Sequence, residues 1–298
     1  MKIHFTLRLV SADLANRLAA DPLIAKALRP QPNPFVGFLF PKSIDAAGPV
    51  LPRLLELAGS ERLSLLRHMT FSPAELQQAS HLEVLCRVTI GQTRADTTAT
   101  HAAYAAESLH PTASRWRVRL PQRIFLSKPV RPDTIPHVDQ WTGEYAMGSQ
   151  AAQSLQASGL TGWTLRPLLL HRGGEAADKH LTTGELLPPA LEDGTRFETY
   201  DNGPRAPSTP RRYGLLSYPA GALADSFDFA RTAEPWGEWS TPLWVVRQPV
   251  RQWFIDSGLR GWGFYPVLQE GSELHRQHAQ QWKQALSILK SAGGEVMA

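Results

Sequence analysis

Three groups of residues in this 298-residue chain have types and spacing suited to chemistry. Arg115, Arg117 and Arg119 alternate with Trp116, Val118 and Leu120, so a strand here puts guanidinium groups on one face and apolar groups on the other. Guanidinium groups at that period can meet phosphates or a partner's carboxylates bidentately, and Arg123, Lys128 and Arg131 extend the positive field. The plainer alternative is an exposed strand face that like charges keep soluble and protect from edge pairing. His275 and His278 stand three apart on an expected helix with Glu273 close by, a spacing that can hold an ion between two imidazoles. His278 also falls on the apolar stripe of that helix, and spacing ties no third ligand to the pair. A core-facing histidine is therefore expected, and no metal or cofactor. Trp236 and Trp239 lie in Glu234-Pro235-Trp236-Gly237-Glu238-Trp239, a Pro/Gly loop where an indole can stay exposed as a partner contact.

The familiar catalytic patterns are missing. Gly148-Ser149-Gln150-Ala151 lacks the spacing and second glycine of a nucleophile elbow. There is no H-E-x-x-H, P-loop or G-x-G-x-x-G, and Gly261-Trp262-Gly263 matches the last only in its first three positions. The carboxylate pairs Glu192/Asp193 and Glu234/Glu238 read as solvated loop charges. Cys86, the one cysteine, falls in the alternating run Leu82 to Val88 and reads as a structural thiol in a strand. A lone cysteine excludes a disulfide scaffold or a cysteine zinc ribbon and suits a reducing cytoplasm. Charged residues interrupt the first twenty positions, and no run approaches the ~18 apolar residues of a membrane span, so neither leader nor span is expected.

The elements that must position these groups follow from period and punctuation. A strand opens the chain at Lys2 to Leu9, Ser11 caps a helix, and Ser72-Pro73-Ala74-Glu75 is a capping box with proline at the first helical position. Residues 1–135 carry 17 Lys and Arg against 10 Asp and Glu, whereas residues 136–298 carry 14 against 17 and hold eight of the nine Trp. This asymmetry predicts a basic N-terminal α+β domain over 1–135 and a Trp-rich C-terminal α+β domain over 136–298, with Lys128 to His137 as linker.

An internal repeat is the strongest signal. Ser158-Gly159-Leu160-Thr161-Gly162-Trp163-Thr164-Leu165-Arg166-Pro167-Leu168-Leu169 returns 99 residues later as Ser257-Gly258-Leu259-Arg260-Gly261-Trp262-Gly263-Phe264-Tyr265-Pro266-Val267-Leu268, with seven of twelve positions identical. Upstream, Tyr145 to Met147 matches Trp244 to Val246, and Ala151 to Ala157 matches Val250 to Asp256. Each copy, 144–170 and 243–269, thus predicts a short strand, a short helix, a glycine turn (Gly159 and Gly162, Gly258 and Gly261) and a second strand. Trp163 and Trp262 are expected as core anchors, and Pro167 and Pro266 mark the strand's edge or end. Two such units can pack about a pseudo-twofold axis. A polar insertion, Arg172 to Arg212, separates them, and a helix from Ser272 closes the chain. The predicted fold is α+β, with mixed sheets flanked by short helices and this duplicated unit.

The repeat strand, with its Gly-Leu-x-Gly-Trp-x-x-x-Pro pattern, resembles the terminal module of bacterial polymorphic-toxin immunity proteins, in particular the double-CxxCG family. The likeness covers little more than the two copies. This chain has none of that family's Cys-x-x-Cys-Gly knuckles, so zinc is not implied here. The resemblance implies a cytoplasmic, non-catalytic protein that binds and neutralises a cognate toxin. Net charge is +4, which favours a partner with an acidic surface, steered by Arg115, Arg117, Arg119 and Arg123. Two alternatives stay open: a nucleic-acid-associated protein using the same arginines, and an enzyme without a recognisable motif.

Overall fold

The computed structural model describes residues 1–7, 10–34, 37–61, 63, 65–89, 124–126, 129–138, 143–170, 174–190, 197–200, 209–212, 215–223, 227–236 and 241–291. The fold is α+β, with short helices and largely antiparallel sheets. Its two compact units are Met1–Glu75 with Glu273–Ala298, and Leu76–Ser272. These bounds do not coincide with the division at residue 135: the second unit begins at Leu76, and the C-terminal helix belongs to the first. Charge follows the units, with 12 Lys and Arg against 8 Asp and Glu in the first and 19 of each in the second.

In the first unit, β1 (Lys2–Leu7) buries Ile3, Phe5 and Leu7 on alternate positions. Helix α1 (Ala12–Ala20) starts where the Ser11 hydroxyl accepts from the Leu14 amide at 3.1 Å. Helix α2 (Pro22–Leu28) starts on Asp21, whose carboxylate accepts from the Leu23 and Ile24 amides. A hairpin of β2 (Gln31–Asn33) and β3 (Gly37–Leu39) follows, then β4 (Ser43–Asp45), α3 (Val50–Ala58), β5 (Leu65–Thr70) and α4 (Pro73–Gln78). The capping box forms as its sequence dictates: Ser72 Oγ accepts from the Glu75 amide at 3.3 Å, and Glu75 accepts from the Ser72 amide at 2.7 Å. Strand β1 lies between β4 and β5, antiparallel to both. The C-terminal helix (Glu273–Ser291) packs on β1 and α3 through buried Leu274, His278, Trp282 and Ala285.

The second unit contains, in order, β6 (His81–Cys86), β7 (Phe125–Leu126), β8 (Tyr145–Met147), α5 (Ser149–Ala157), β9 (Thr164–Leu170), β10 (Glu175–Thr182), β11 (Phe197–Tyr200), β12 (Thr209–Arg212), β13 (Ser217–Tyr218), β14 (Phe229–Trp236), β15 (Thr241–Arg247), α6 (Gln248–Asp256), β16 (Trp262–Pro266) and β17 (Leu268–Gln269). One four-stranded sheet has the order β7-β9-β10-β8, the other β14-β15-β6-β16. Only the β7–β9 pair is parallel in these two sheets.

The duplication extends well beyond twelve residues. In the first copy β8 and β9 flank β10, with Ala146 and Arg166 both opposite His180. In the second, β15 and β16 flank β6, with the equivalent Val245 and Tyr265 both opposite Glu83. Farther out, Phe125 and Leu126 pair in parallel with Leu169 and Leu170, as Ser217 and Tyr218 do with Leu268 and Gln269. The Ile124 carbonyl accepts from the Leu169 amide at 3.0 Å, as that of Leu216 does from Leu268 at 2.8 Å. Thr134 and Asp228 carbonyls accept from Gly148 and Arg247 amides, each at 3.0 Å. The cores match as well. Ile124, Leu126, Ala146 and Leu168 form one cluster, and their equivalents Leu216, Tyr218, Val245 and Val267 form another.

Two further sequence expectations need correcting. Residues 128–137 are no linker in their described part, because Thr134 and Ile135 are buried and Ile135 donates its amide to the Arg260 carbonyl at 2.8 Å. The Pro132 and Pro136 carbonyls there accept from the Ala151 and Ala146 amides, each at 3.0 Å. The 172–212 insertion contains β10, the middle strand of the first copy's sheet. Its counterpart in the second copy is β6, which lies upstream of both copies. Sequence comparison of 144–170 with 243–269 cannot see a strand drawn from outside either window.

Candidate functional site

The repeat glycines serve two different purposes. Gly159 and Gly258, at φ +71° and +63°, turn the chain after α5 and α6 into open space. Gly162 and Gly261, at φ +82° and +109°, let backbones approach: a β-carbon on Gly162 would sit 2.7 Å from the Phe229 carbonyl oxygen, and one on Gly261 would strike that of Ile135. Each copy's turn thus packs on the segment that leads into the other copy. Such reciprocity is the mark of a twofold relation.

Two contacts lie on that local axis, because each joins a residue to its own equivalent. Trp253 Nε1 donates to Ser154 Oγ at 2.9 Å, and the rings of Tyr145 and Trp244 meet edge-on with centroids 5.9 Å apart. Trp262 is buried, stacked on Phe254 at 5.4 Å and edge-on to Tyr145 at 5.5 Å. Its equivalent Trp163 is only half-buried and donates Nε1 to the Leu160 carbonyl at 2.7 Å. Both tryptophans anchor their turns, but only Trp262 belongs to the shared aromatic core. Pro266 ends β16; Pro167 sits within β9, opposite Lys179 and short of the β7 pairing.

Beside this axis lies a charged cluster that joins the copies. Glu144 precedes β8, His180 is in the middle of β10, and Arg231 is on β14; their exposures are 0%, 1% and 2%. Arg231 grips the Glu144 carboxylate with both terminal nitrogens, at 3.2 and 3.1 Å, and His180 Nε2 sits 2.7 Å from Oε2. The guanidinium also lies 4.4 Å over the Trp244 ring. At the equivalent place in the first copy, the His137 ring lies 4.4 Å from Tyr145. Burial by itself would raise the Glu144 carboxyl, but the Arg231 charge and the His180 hydrogen bond outweigh it and bring it down to about 2. Burial lowers His137 to about 4, so that ring is neutral in the fold. Burial likewise raises the Tyr145 phenol well above its usual value.

A carboxylate held ionised this firmly is a weak proton acceptor at neutral pH, and all three side chains of the cluster are buried. What the cluster does is fix one copy against the other. Removing either partner of such a buried pair leaves the other charge uncompensated, at roughly 3–5 kcal/mol.

Of the residues singled out from sequence, Arg115, Arg117, Arg119, Arg123 and Trp239 lie outside the described residues. Trp236 ends β14, paired with Thr241. His278 faces the core of the first unit, its Nδ1 3.1 Å from Met1 Sδ, and no group of three or more metal-ligating side chains gathers among the described residues. Cys86 is in β6 as expected, its thiol donating to the Val88 carbonyl at 3.1 Å. Glu144, His180, Arg231 and His137 escaped the sequence reading. One signal was present: Glu144 lies inside the first copy, where the second has Leu243, and a charge exchanged for leucine ahead of a buried strand marks a place where the copies differ.

The first unit holds a cavity of about 230 Å³ beside Met1, Ile3, Asp45 and Gln281. Small-molecule sites run to about 300–1,000 Å³, so this one suits only a very small guest. Among the described residues no helix is long and apolar enough to cross a membrane. No protein-family profile matches the chain, and comparison with curated proteins finds no match.

Proposed function

We propose that the chain is a non-catalytic cytoplasmic binding protein, and that it neutralises a toxin domain by holding it. The observation that carries this reading is the use of a buried charge cluster: Glu144, His180 and Arg231 are spent inside the scaffold, joining two copies of a repeated unit. A rigid duplicated scaffold of this kind suits the presentation of a surface. The strand motif of both copies, with Gly162, Trp163 and Pro167 and again Gly261, Trp262 and Pro266, supports the immunity reading through its likeness to that family. The partner is a protein with an acidic face, matched to the excess positive charge of the chain and to Arg115, Arg117, Arg119 and Arg123, with Trp236 and Trp239 as aromatic contacts.

The test is a tagged pull-down from the native host with and without nuclease, followed by mass spectrometry. A stoichiometric protein that survives nuclease is expected. Nucleic acid lost on nuclease treatment, with no protein partner, would overturn the reading and assign the arginines to phosphates. In binding assays at low salt, replacing Arg115, Arg117 and Arg119 together by Ser should slow association about tenfold or more. An unchanged association rate would remove these residues from the interface.

A further inference from the structure

Strand β6 stands apart from the other strands of the second copy. Its partners β15 and β16 come from residues 241–266, whereas β6 lies upstream of both copies, with residues 87–123 between it and β7. It nevertheless fills the place that β10 fills in the first copy, position for position: Leu82, Glu83 and Val84 where the first copy has Lys179, His180 and Leu181. Both of its edges are paired, and Leu82 and Val84 are buried. Without it, β15 and β16 would face each other across an open slot one strand wide.

The first unit shows the reciprocal arrangement. Its sheet is built from residues 1–75, but the helix packed on β1 is Glu273–Ser291, from the far end of the chain. The stretches 1–86 and 124–298 are thus each completed by an element of the other. The connection between them can span at most roughly 120 Å when extended, so length does not confine the exchange to one chain.

We propose that the slot between β15 and β16 is a strand-accepting site whose second occupant is β6 of another copy of this chain. In the resulting dimer, residues 1–86 of each copy complete residues 124–298 of the other. The ladders of β6 with β15 and β16 are the same in the closed monomer and in the exchanged dimer. Connection entropy and chain concentration alone decide between them. At low concentration the intramolecular strand wins. When chains fold together at high concentration the dimer competes, and its ratio to monomer rises about tenfold for each tenfold rise in monomer.

The test unfolds the full-length chain and refolds it between about 1 µM and about 300 µM, a range that approaches the effective concentration of a tethered strand. Mass is then read by light scattering at one common dilution. The expected result is a dimer that increases with refolding concentration and survives dilution. Such dimers should exchange subunits between isotope-labelled and unlabelled pools at least a hundredfold slower without denaturant than with it. Monomer at every concentration overturns the proposal, and so does a dimer that exchanges within minutes in buffer, because that is surface association. A second arm uses Cys86→Ser with Val84→Cys and Phe264→Cys, placed on register partners. Its disulfide should join two chains in the dimer and close within one chain in the monomer. A dimer whose disulfide stays within each chain overturns the exchange.

Discussion

Across the ladder from Tyr145 in the first copy stands His137; across from Trp244 in the second stands Arg231. At the next equivalent pair, Glu144 precedes one strand where Leu243 lies within the other, and the middle strands offer His180 against Glu83. Backbone pairing is conserved between the copies at Tyr145 and Trp244 and at His180 and Glu83, while the side-chain chemistry is not. The ladder needs glycines at two turns, apolar residues on the inner face and little else. Chemistry is then free to diverge, and here it diverged into an ion pair running from the second copy's Arg231 to the first copy's Glu144. No counterpart can run the other way, because His137 and Leu243 occupy the equivalent positions.

Removing that asymmetry should have the largest effect. Glu144→Ala or Arg231→Ala should each destabilise by about 3–5 kcal/mol in urea unfolding. Glu144→Leu combined with Arg231→Met, which gives the site an apolar filling, should cost clearly less than either single change. Additive losses would mean that the two groups do not act as a pair.

The glycines sharpen the comparison from its symmetric side. Gly162→Ala and Gly261→Ala should cost about 2–4 kcal/mol each, since a β-carbon meets the backbone of Phe229 or Ile135. Gly159→Ala and Gly258→Ala, strained in φ but open in space, should cost about 1 kcal/mol. The ranking should be the same in both copies.

Acid should separate them. The folded pKa of His137 lies below its unfolded value, so the unfolded chain binds the extra proton and stability falls as pH drops from about 6.5 towards 4. Glu144 is likewise depressed, and its contribution is lost as pH falls from about 4.5 towards 2. Unfolding free energies measured across pH 7 to 3 should show both arms. His137→Leu should flatten the upper one, on the order of 2–3 kcal/mol, and leave the lower one in place. The smallest effect belongs to the axis itself: Ser154→Ala leaves the Trp253 indole N–H without its acceptor, at about 1 kcal/mol by thermal or urea melt.

Local chemistry was legible in the sequence. The Ser11 cap, the Ser72–Glu75 box, the paired glycine turns and the apolar stripe of the last helix all depend on residues within a few positions of one another, and each formed as its pattern dictates. The repeat was readable for the same reason. What the sequence hid depends on distant pairing. Leu82-Glu83-Val84 shares no identity with Lys179-His180-Leu181, because the middle strand of a sheet is specified by its neighbours' ladders more than by its own side chains. The charged cluster was hidden by separation along the chain, since Glu144, His180 and Arg231 come from three distant segments. Composition misplaced the unit boundary because charge totals do not register where a chain crosses back.

Amide hydrogen exchange on the unmodified chain tests the duplication most directly, read at Leu82 to Val84 of β6 and Lys179 to Leu181 of β10. If β6 is the true counterpart of β10, both triplets belong to the slowest-exchanging class and agree within about tenfold. Exchange of β6 a hundredfold faster than β10 would contradict this, and would make β6 a strand laid against the second copy without completing it.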